Sequence, residues 1–274
     1  TYILKDRLSN LCEISIFLDD ILEFMEKANF IKVISNNNQK YVSISSRYYE
    51  ELSISKFLKI FNSNINNSAI LIDSLSINAT LNNKQLAFLE NFNNNNISIL
   101  IGKPGTGKSY ISSLAINNMN TDKIAVLGPT GMAVKNIKKN IKKRSVLENC
   151  KTIHSFIYSK PVDINVLVID EFGMVSTKLF FRLINYIDKH LKNLQKIVFI
   201  GDVNQLGPIG YGTPLRQLIL SNTINVTELK KIVRQDNKDI PRVCSFINKG
   251  YSKKMISKFK FKGTPFEDNL YLDN

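Results

Sequence analysis

A short glycine-rich run, Gly102 to Ser109, reads GKPGTGKS and so has the spacing G-x-x-x-x-G-K-S. It follows the apolar run 97–101 and precedes a stretch with helical periodicity. Glycines in such a turn let backbone N–H groups surround phosphate oxygens, and the helix N-terminus adds partial positive charge. The lysine of this pattern reaches the β- and γ-phosphates, and the final hydroxyl ligates Mg²⁺. The run therefore predicts an ATP-phosphate loop rather than a ligand-free turn, with these binding residues: Gly102, Pro104, Gly105, Thr106, Gly107, Lys108 and Ser109.

A pair of carboxylates, Asp170 and Glu171, follows directly after the apolar run 166–169. Ligands of open α/β sheets bind at the carboxyl ends of the strands, where this pair would lie. Taken alone, an Asp-Glu pair after a strand is usually just a polar strand end. Downstream of a phosphate loop, it predicts that Asp170 holds Mg²⁺ together with Ser109, and that Glu171 polarises the attacking water.

A third apolar run, 197–200, ends in Gly201 and Asp202, and Gln205 follows shortly after. A glutamine beside the phosphate loop can hydrogen-bond a γ-phosphate and report its hydrolysis to the rest of the molecule. Kinases and transport ATPases have no need of such a segment. We therefore expect Gln205 to act with Lys108 and Glu171 in catalysis, and the segment favours a mechanical motor over a general ATPase.

Short apolar runs separated by helical stretches fill the chain from Lys84 onward. Strands that are buried on both faces have this pattern, and their alternation with helices predicts a parallel α/β sheet flanked by helices. The predicted strands are 97–101, 124–127, 166–169, 197–200 and 224–226.

The first 61 residues have a different pattern, which predicts a small α+β domain. Helical spacing covers 10–30, apolar and alternating stretches flank a polar turn between 31 and 44, and a second helix is expected over 46–61. A winged-helix-like domain fits this order, and so do other small helical folds. The predicted division is an accessory domain 1–61, a connector 62–83, a first ATPase domain 84–222 and an incomplete second domain 223–274.

The net charge of +14 is unevenly distributed along the chain. Residues 1–84 contain nine basic and nine acidic side chains, whereas residues 85–274 contain 28 basic and 14 acidic ones. A basic excess confined to one segment indicates a polyanionic partner. Codon bias toward Lys, Asn and Ile is the alternative explanation, and the asparagine runs 36–38 and 93–96 support it.

No run of 18 apolar residues and no charged-then-apolar leader occurs in the sequence. The three cysteines lie far apart without the spacing of a metal site, which is typical of a reducing compartment. We therefore expect a cytoplasmic protein that has no membrane partner.

The densest basic run spans residues 134–144. Its lysines are spaced so that a single continuous helix would place them on one face. Such a face could follow a phosphate backbone, with Lys135 as a DNA contact, or could simply be solvated. The lysines concerned are Lys135, Lys138, Lys139, Lys142 and Lys143.

With these motifs in this order, residues from about 81 to 250 resemble the RecD-type branch of superfamily 1 DNA helicases, which includes the exodeoxyribonuclease V alpha subunit. The resemblance implies a P-loop NTPase with a RecA-like sheet.

LNNKQLAFL resembles the glutamine motif of that branch, in which Gln85 would read the adenine edge. ELKKIVRQ resembles the segment whose arginine, here Arg234, reaches the γ-phosphate from a second RecA-like domain. LGPTGMAVKNI and TIHSFI resemble its DNA-facing motifs, which implies DNA contacts at Pro129, Thr130, Gly131, Thr152 and His154.

The resemblance implies an ATP-dependent helicase or translocase that moves 5′-to-3′ on single-stranded DNA, with ATP and Mg²⁺ as cofactors. Two departures from the family pattern bear on this prediction. Only about 40 residues follow Arg234, so we expect either a fragment or another chain that supplies the rest of the second domain. The stretch between His154 and Asp170 is too short for the strand-separating hairpin that relatives carry there.

A DNA-stimulated ATPase that acts as a switch or loading subunit is therefore the alternative, because it needs no strand separation. A DNA-binding scaffold with a vestigial ATP site is a third hypothesis. Four intact reactive groups argue against the scaffold: Lys108, Ser109, Asp170 and Glu171.

Overall fold

The computed structural model describes residues 3–4, 18–36, 39–63, 70–73, 77 and 81–231. Arg234 lies outside the described residues, as do most of the predicted segment 223–274 and residues 10–17 of the first predicted helix. Within the described ranges, no helix is long and apolar enough to cross a bilayer.

The N-terminal part contains a three-stranded antiparallel sheet in the order β1-β3-β2. The predicted hairpin is confirmed, with Ile31 paired to Ile44 and Asn36 to Gln39. A small core of Leu22, Ile31 and Val42 lies beneath it. Its elements are β1 (Ile3–Leu4), α1 (Leu18–Lys27), β2 (Ile31–Asn36), β3 (Gln39–Ile44) and α2 (Ser45–Ser63).

The main sheet has six parallel strands in the order β6-β5-β7-β8-β4-β9, which confirms the predicted fold class. All five predicted strands are present, and their boundaries differ from prediction by at most three residues. The sixth strand, β6, was missed because three residues are too few for a periodic signal. The strands are β4 (Ile97–Gly102), β5 (Ile124–Gly128), β6 (Cys150–Thr152), β7 (Val166–Ile169), β8 (Lys196–Gly201) and β9 (Asn225–Leu229).

Helices cover both faces of this sheet, so successive residues of a strand contribute to different cores. Along β4, Ile97, Ile99 and Ile101 belong to one apolar cluster, whereas Leu100 packs in the other. The helices are α3 (Asn83–Asn94), α4 (Lys108–Asn117), α5 (Gly131–Lys138), α6 (Arg144–Glu148), α7 (Ile153–Ile157), the 3₁₀ turn Phe172–Met174, α8 (Thr177–His190) and α9 (Pro214–Leu220).

Helix α2 links the N-terminal part to the main sheet. It packs along α8, and its Ile54 and Leu58 are buried in the same core as Phe180. The helix predicted to end the accessory domain therefore shares its apolar core with the ATPase sheet. Burial of two aliphatic side chains contributes on the order of 3 to 6 kcal/mol to this junction.

The asparagine cluster, Asn91, Asn93, Asn95 and Asn96, fixes the carboxyl end of α3 to its surroundings. Asn91 Nδ2 donates to Thr227 Oγ1 of β9 at 2.7 Å. The backbone of residue 72 exchanges two hydrogen bonds with the Asn93 side chain, at 2.8 and 3.1 Å. Asn95 Nδ2 caps the carbonyl of Asn91 at 2.8 Å, and Asn96 Nδ2 donates to the last turn of α2 at 3.1 Å. This asparagine-rich stretch, whose composition suggested codon bias, thus connects α3 to α2, to β9 and to the segment at residue 72.

Lys196 also stabilises the carboxyl end of α3. Its side chain is almost fully buried, and its Nζ donates to the carbonyls of Phe92, Asn93 and Asn95 at 2.7, 3.2 and 3.0 Å. The ammonium also lies 4.9 Å from the centre of the Phe92 ring. Burial lowers the pKa of Lys196 to about 8, while three carbonyls and the negative end of the helix dipole favour its charged form.

Replacing Lys196 with Met keeps most of the aliphatic volume and removes the donor group. Three helix-end carbonyls then lose their partner, so we expect the free energy of unfolding to fall by about 2 kcal/mol or more. Urea denaturation measures this change. Lys189→Met, at an exposed position of α8, is the matched control and should stay within about 0.5 kcal/mol of the native value. Equal effects of both substitutions would contradict the proposed role of Lys196.

Candidate functional site

The phosphate loop is formed where β4 ends and α4 begins. Gly105 and Gly107 have φ values of +80° and +92°, a region that side-chain-bearing residues rarely adopt. A Cβ on Gly102 would lie 2.6 Å from Thr106 Oγ1 and 2.8 Å from the Leu229 carbonyl, so only glycine fits there. Buried Thr106 closes the turn by donating its hydroxyl to the Lys103 carbonyl at 2.8 Å.

Lys108 begins α4 and turns its ammonium back into the loop. Its Nζ donates to the carbonyls of Gly102 and Lys103 at 2.6 and 3.2 Å. The ammonium therefore lies within the ring of loop backbone, where the anionic groups of a bound nucleotide would meet it. Ser109 follows at the second position of α4 and is half-buried.

Gln85, proposed from the resemblance to read the adenine edge, lies beside the loop, and a capping box at the start of α3 holds its side chain. Its Oε1 accepts from the backbone N–H of Asn82 at 3.0 Å, and Asn82 Oδ1 accepts in return from the N–H of Gln85 at 3.0 Å. The Gln85 Nε2 is 3.5 Å from the position of a Cβ on Gly107. The signal N-x-x-Q was present in the sequence but was not used to find Asn82. Gln85 is thus held with its amide nitrogen, the donor end, toward the loop.

Asp170 directly follows β7, and its ionisable carboxyl is buried. Burial is the main reason that its pKa rises from 3.8 to about 6, and the neighbouring charge of Glu171 raises it further. The Glu171 backbone N–H and the charge of Lys108 lower the pKa of the carboxyl and so act in the opposite direction. A buried carboxylate of this kind is stabilised by a cation.

Glu171 adopts a left-handed backbone, with φ 52° and ψ 39°. Asn29 and Asn222, the other non-glycine residues with positive φ in the described ranges, are of a type that tolerates this region. A glutamate there costs on the order of 1 kcal/mol, so the surrounding structure must enforce it. The next residue, Phe172, is fully buried with its ring centre 4.4 Å from that of Phe199 and 4.9 Å from that of Phe180. This aromatic packing fixes the turn that presents Glu171.

Beyond β8, Asp202 is buried and begins the segment that carries Gln205. Its Oδ1 accepts from the Asn204 N–H at 2.9 Å, whereas its Oδ2 is buried and has no hydrogen-bond partner in the described part of the chain. Gln205 is half-buried in a segment, 202–213, that has neither helix nor strand. Asp202 was noted in the sequence but was not assigned a role, and its unpaired oxygen is a signal that only the structure provides.

Two of the DNA-facing residues predicted from the resemblance are helix caps. Thr130 Oγ1 accepts from the Ala133 N–H at 3.2 Å, and Thr152 Oγ1 accepts from the Ser155 N–H at 3.1 Å. The strands before them are adjacent, because Gly128 of β5 pairs with Thr152 of β6. The remaining predicted DNA contacts lie in the same region, with Pro129 half-buried and Gly131, Lys135 and His154 exposed.

The expectation of one continuous lysine-bearing helix was wrong. Helix α5 ends at Lys138, and a turn separates it from α6, which begins at Arg144. Lys143 does not face outward, because its Nζ donates to the carbonyls of Met119 and Thr121 at 2.6 and 2.8 Å and lies 3.1 Å from Asp122. Lys135 and Lys138 remain as exposed cations on α5.

The strand order arranges all these groups along one edge of the sheet. In the order β6, β5, β7, β8, β4, the carboxyl ends carry Thr152, Thr130, Asp170, Asp202 and the phosphate loop. Neighbouring strands are about 4.8 Å apart, so the edge spans roughly 20 Å from Thr152 to Gly102. The predicted DNA residues occupy one end, the loop occupies the other, and the carboxylates lie between them.

The residues present fit a nucleotide with a divalent cation. Gly105 and Gly107 have positive φ values, and Gly102 leaves no room for a Cβ. Lys108 supplies positive charge inside the loop, and a cation would stabilise the buried carboxylate of Asp170. Mg²⁺ sites of this type use one or two protein oxygens together with phosphate and water.

A family model described as an AAA domain matches residues 80–264, more than half of the chain. The chain is 31% identical over 193 residues to the RecBCD enzyme subunit RecD of Buchnera aphidicola, covering 60% of this chain and 27% of that protein. It is 28% identical over 211 residues to the uncharacterized protein MJ1519 of Methanocaldococcus jannaschii, with coverage of 65% and 18%.

A third relative is the ATP-dependent RecD2 DNA helicase of Deinococcus radiodurans, 23% identical over 171 residues, with coverage of 58% of this chain and 22% of that protein. The resemblance to RecD-type proteins predicted from the motifs is therefore confirmed. The chain spans only about a quarter or less of the length of these relatives.

Replacing Asp170 with Asn should stabilise the ligand-free protein at neutral pH. The pKa of the native carboxyl is about 6 in the folded protein and 3.8 in the unfolded chain, so its protonation stabilises the folded protein fully below pH 3.8. This stabilisation is lost as the pH rises through about 6. We expect Asp170→Asn to gain about 3 kcal/mol of unfolding free energy at pH 7.5 and only about 0.5 kcal/mol at pH 4. Denaturant titrations without Mg²⁺ at both pH values measure the difference.

The matched control is Asp163→Asn, at an exposed position where hydrogen bonds from Lys123 and Asn193 lower the pKa of the carboxyl. This substitution should bring no gain at pH 7.5. The same gain at both pH values for Asp170→Asn would show that burial of its charge is not the cause.

Proposed function

This chain belongs to the AAA domain family, and from that premise we propose that it is the ATP-hydrolysing part of a RecD-type DNA helicase or translocase. The observation that carries the proposal is the shared edge of the sheet. The phosphate loop, the carboxylates after β7 and β8, and the segments beginning at Thr130 and Thr152 follow one another along it. A single cleft above that edge would hold nucleotide at one end and a polynucleotide strand at the other.

Each group near the loop has a proposed task in ATP hydrolysis. The loop amides and Lys108 bind the β- and γ-phosphates. The resemblance supports recognition of the adenine edge by Gln85, which lies beside the loop. Ser109 and Asp170 would hold Mg²⁺, which neutralises charge on the phosphates when bound. Glu171 accepts a proton from the attacking water, and Gln205 hydrogen-bonds the γ-phosphate. Arg234, outside the described residues, is proposed to reach the same phosphate from a second domain.

Contact with single-stranded DNA is proposed at the other end of the edge. The exposed residues there include the cation Lys135 and Gly131, whose Cβ position has no atom of the described residues within 4 Å. The lack of a side chain at Gly131 and the short side chain of Thr130 allow a sugar-phosphate backbone to approach the start of α5 closely. The resemblance supports 5′-to-3′ movement, driven by closure and opening of the cleft during each ATP cycle.

We expect single-stranded DNA to raise the ATP turnover of the protein, and Lys108→Ala to lower kcat by at least about 100-fold. The lysine is the charge inside the loop, so its loss removes electrostatic stabilisation of the transferred phosphoryl group. Lys123→Ala, which removes an exposed lysine paired with Asp163 at the opposite edge of the sheet, is the control and should change kcat less than twofold. Turnover that does not respond to DNA would argue against a motor.

A DNA-stimulated switch without strand separation is the second candidate. It is favoured by residues 158–165, which connect α7 to β7 without any strand and so provide no separating hairpin in this fully described stretch. Duplexes with a 5′ or a 3′ single-stranded tail separate the two candidates. We expect unwinding of the 5′-tailed duplex alone. ATP turnover without unwinding of either duplex would support the switch, and unwinding of only the 3′-tailed duplex would overturn the proposed direction.

A further inference from the structure

The segment 202–213 carries Gln205 but has little burial of its own to hold it. Leu206 and Ile209 expose 88% and 102% of their surface, so apolar packing cannot fix this segment. Among the described residues, the contacts that hold this segment lie at its two ends. The first end is fixed by Asp202, whose carbonyl would lie 2.9 Å from a Cβ on Gly173 and whose Oδ1 receives the Asn204 N–H.

The second end is fixed at Tyr211, six positions after Gln205. The Tyr211 carbonyl accepts a hydrogen bond from the N–H of Thr177, the first residue of α8, at 3.1 Å. The guanidinium carbon of Arg47 lies 4.5 Å from the centre of the Tyr211 ring, over its face. A cation in this position is attracted to the ring by about 0.5 to 2 kcal/mol, depending on exposure.

Arg47 belongs to the N-terminal part of the chain. It lies in the first turn of α2, and α2 follows β3 without a linker. The N–H of Ser45 donates to the Phe30 carbonyl at 3.0 Å, which ties the start of this helix to the hairpin. The body of α2 is fixed to α8 through buried Ile54 and Leu58. Arg47 is therefore presented by a rigid element whose position both the hairpin and the main core determine.

We propose that Arg47 is a positioning residue for hydrolysis: through Tyr211 it holds the segment 202–213, and with it Gln205, and it connects the N-terminal part to the ATP site. The inference rests on the proposed function only in its effect on turnover, because the contact with the segment is independent of ATP. The Tyr211 ring face carries the interaction, and the phenolic hydroxyl is not needed for it.

The test uses the full chain and compares variants of both partners. Arg47→Ala and Tyr211→Leu should each lower kcat for DNA-stimulated ATP hydrolysis by about 3- to 10-fold, with little change in KM for ATP because the phosphate loop is untouched. Tyr211→Phe keeps the ring and should behave as the native protein does. Arg47→Lys keeps a cation and should recover part of the loss. The double variant should be no worse than the stronger single one, because both remove the same contact.

Hydrogen–deuterium exchange without nucleotide gives a readout that does not depend on turnover. Amides of residues 203–212 should exchange faster in Arg47→Ala and Tyr211→Leu, but not in Tyr211→Phe. Lys56→Ala, an exposed cation two to three turns further along α2, is the matched control and should change neither kcat nor exchange.

Unchanged exchange in Arg47→Ala would overturn the inference. So would faster exchange with unchanged kcat, since the segment would then not need to be held for hydrolysis. Additive losses in the double variant would mean that Arg47 and Tyr211 act separately. If the native chain hydrolyses no ATP, the proposed function fails, and the exchange comparison alone decides whether Arg47 positions the segment.

Discussion

Four adjacent strands of the sheet, β5, β7, β8 and β4, are buried along their whole length, and this burial on both faces determines where charge can appear. A carboxylate or ammonium within such a strand would face an apolar core and lose its hydration. Charged side chains therefore lie at strand ends, and parallel register brings the carboxyl ends to one edge. Asp170 lies one position beyond its strand and burial still raises its pKa to about 6, so the buried environment extends past the strand end.

The sequence was most informative where chemistry and local geometry coincide. The phosphate loop needs glycine at positions with positive φ, so GKPGTGKS identifies both its shape and its task. The strands were predictable because two-sided burial produces uninterrupted apolar runs. The capping box of Asn82 and Gln85 was also readable, since both partners are local. The role of Gln205 came from its position after a strand beside the phosphate loop, and the roles of Arg234 and the DNA-facing residues came from family resemblance. All of these roles stay predictions.

The contacts that could not be predicted from the sequence join residues that are far apart along the chain. Periodicity placed Lys143 on a helix face, but three carbonyl and carboxylate oxygens from residues 119–122 draw it inward and the helix ends before it. No local pattern marks Lys196 as a buried donor or Arg47 as a neighbour of Tyr211. In each case the cation and its partner are more than twenty positions apart in the sequence. Only the tertiary fold therefore decides which cationic side chains are solvated.

The asparagine cluster at the end of α3 has a consequence for the chemical ageing of the protein. Asparagine side chains slowly lose ammonia, which converts an amide that both donates and accepts into a carboxylate that only accepts. At Asn95 the change would turn the contact with the Asn91 carbonyl from a hydrogen bond into a repulsion between two oxygens, close to Lys196. The helix that presents Gln85 would loosen at its far end. Slow deamidation in the asparagine cluster would thus limit how long the folded chain keeps this helix end intact.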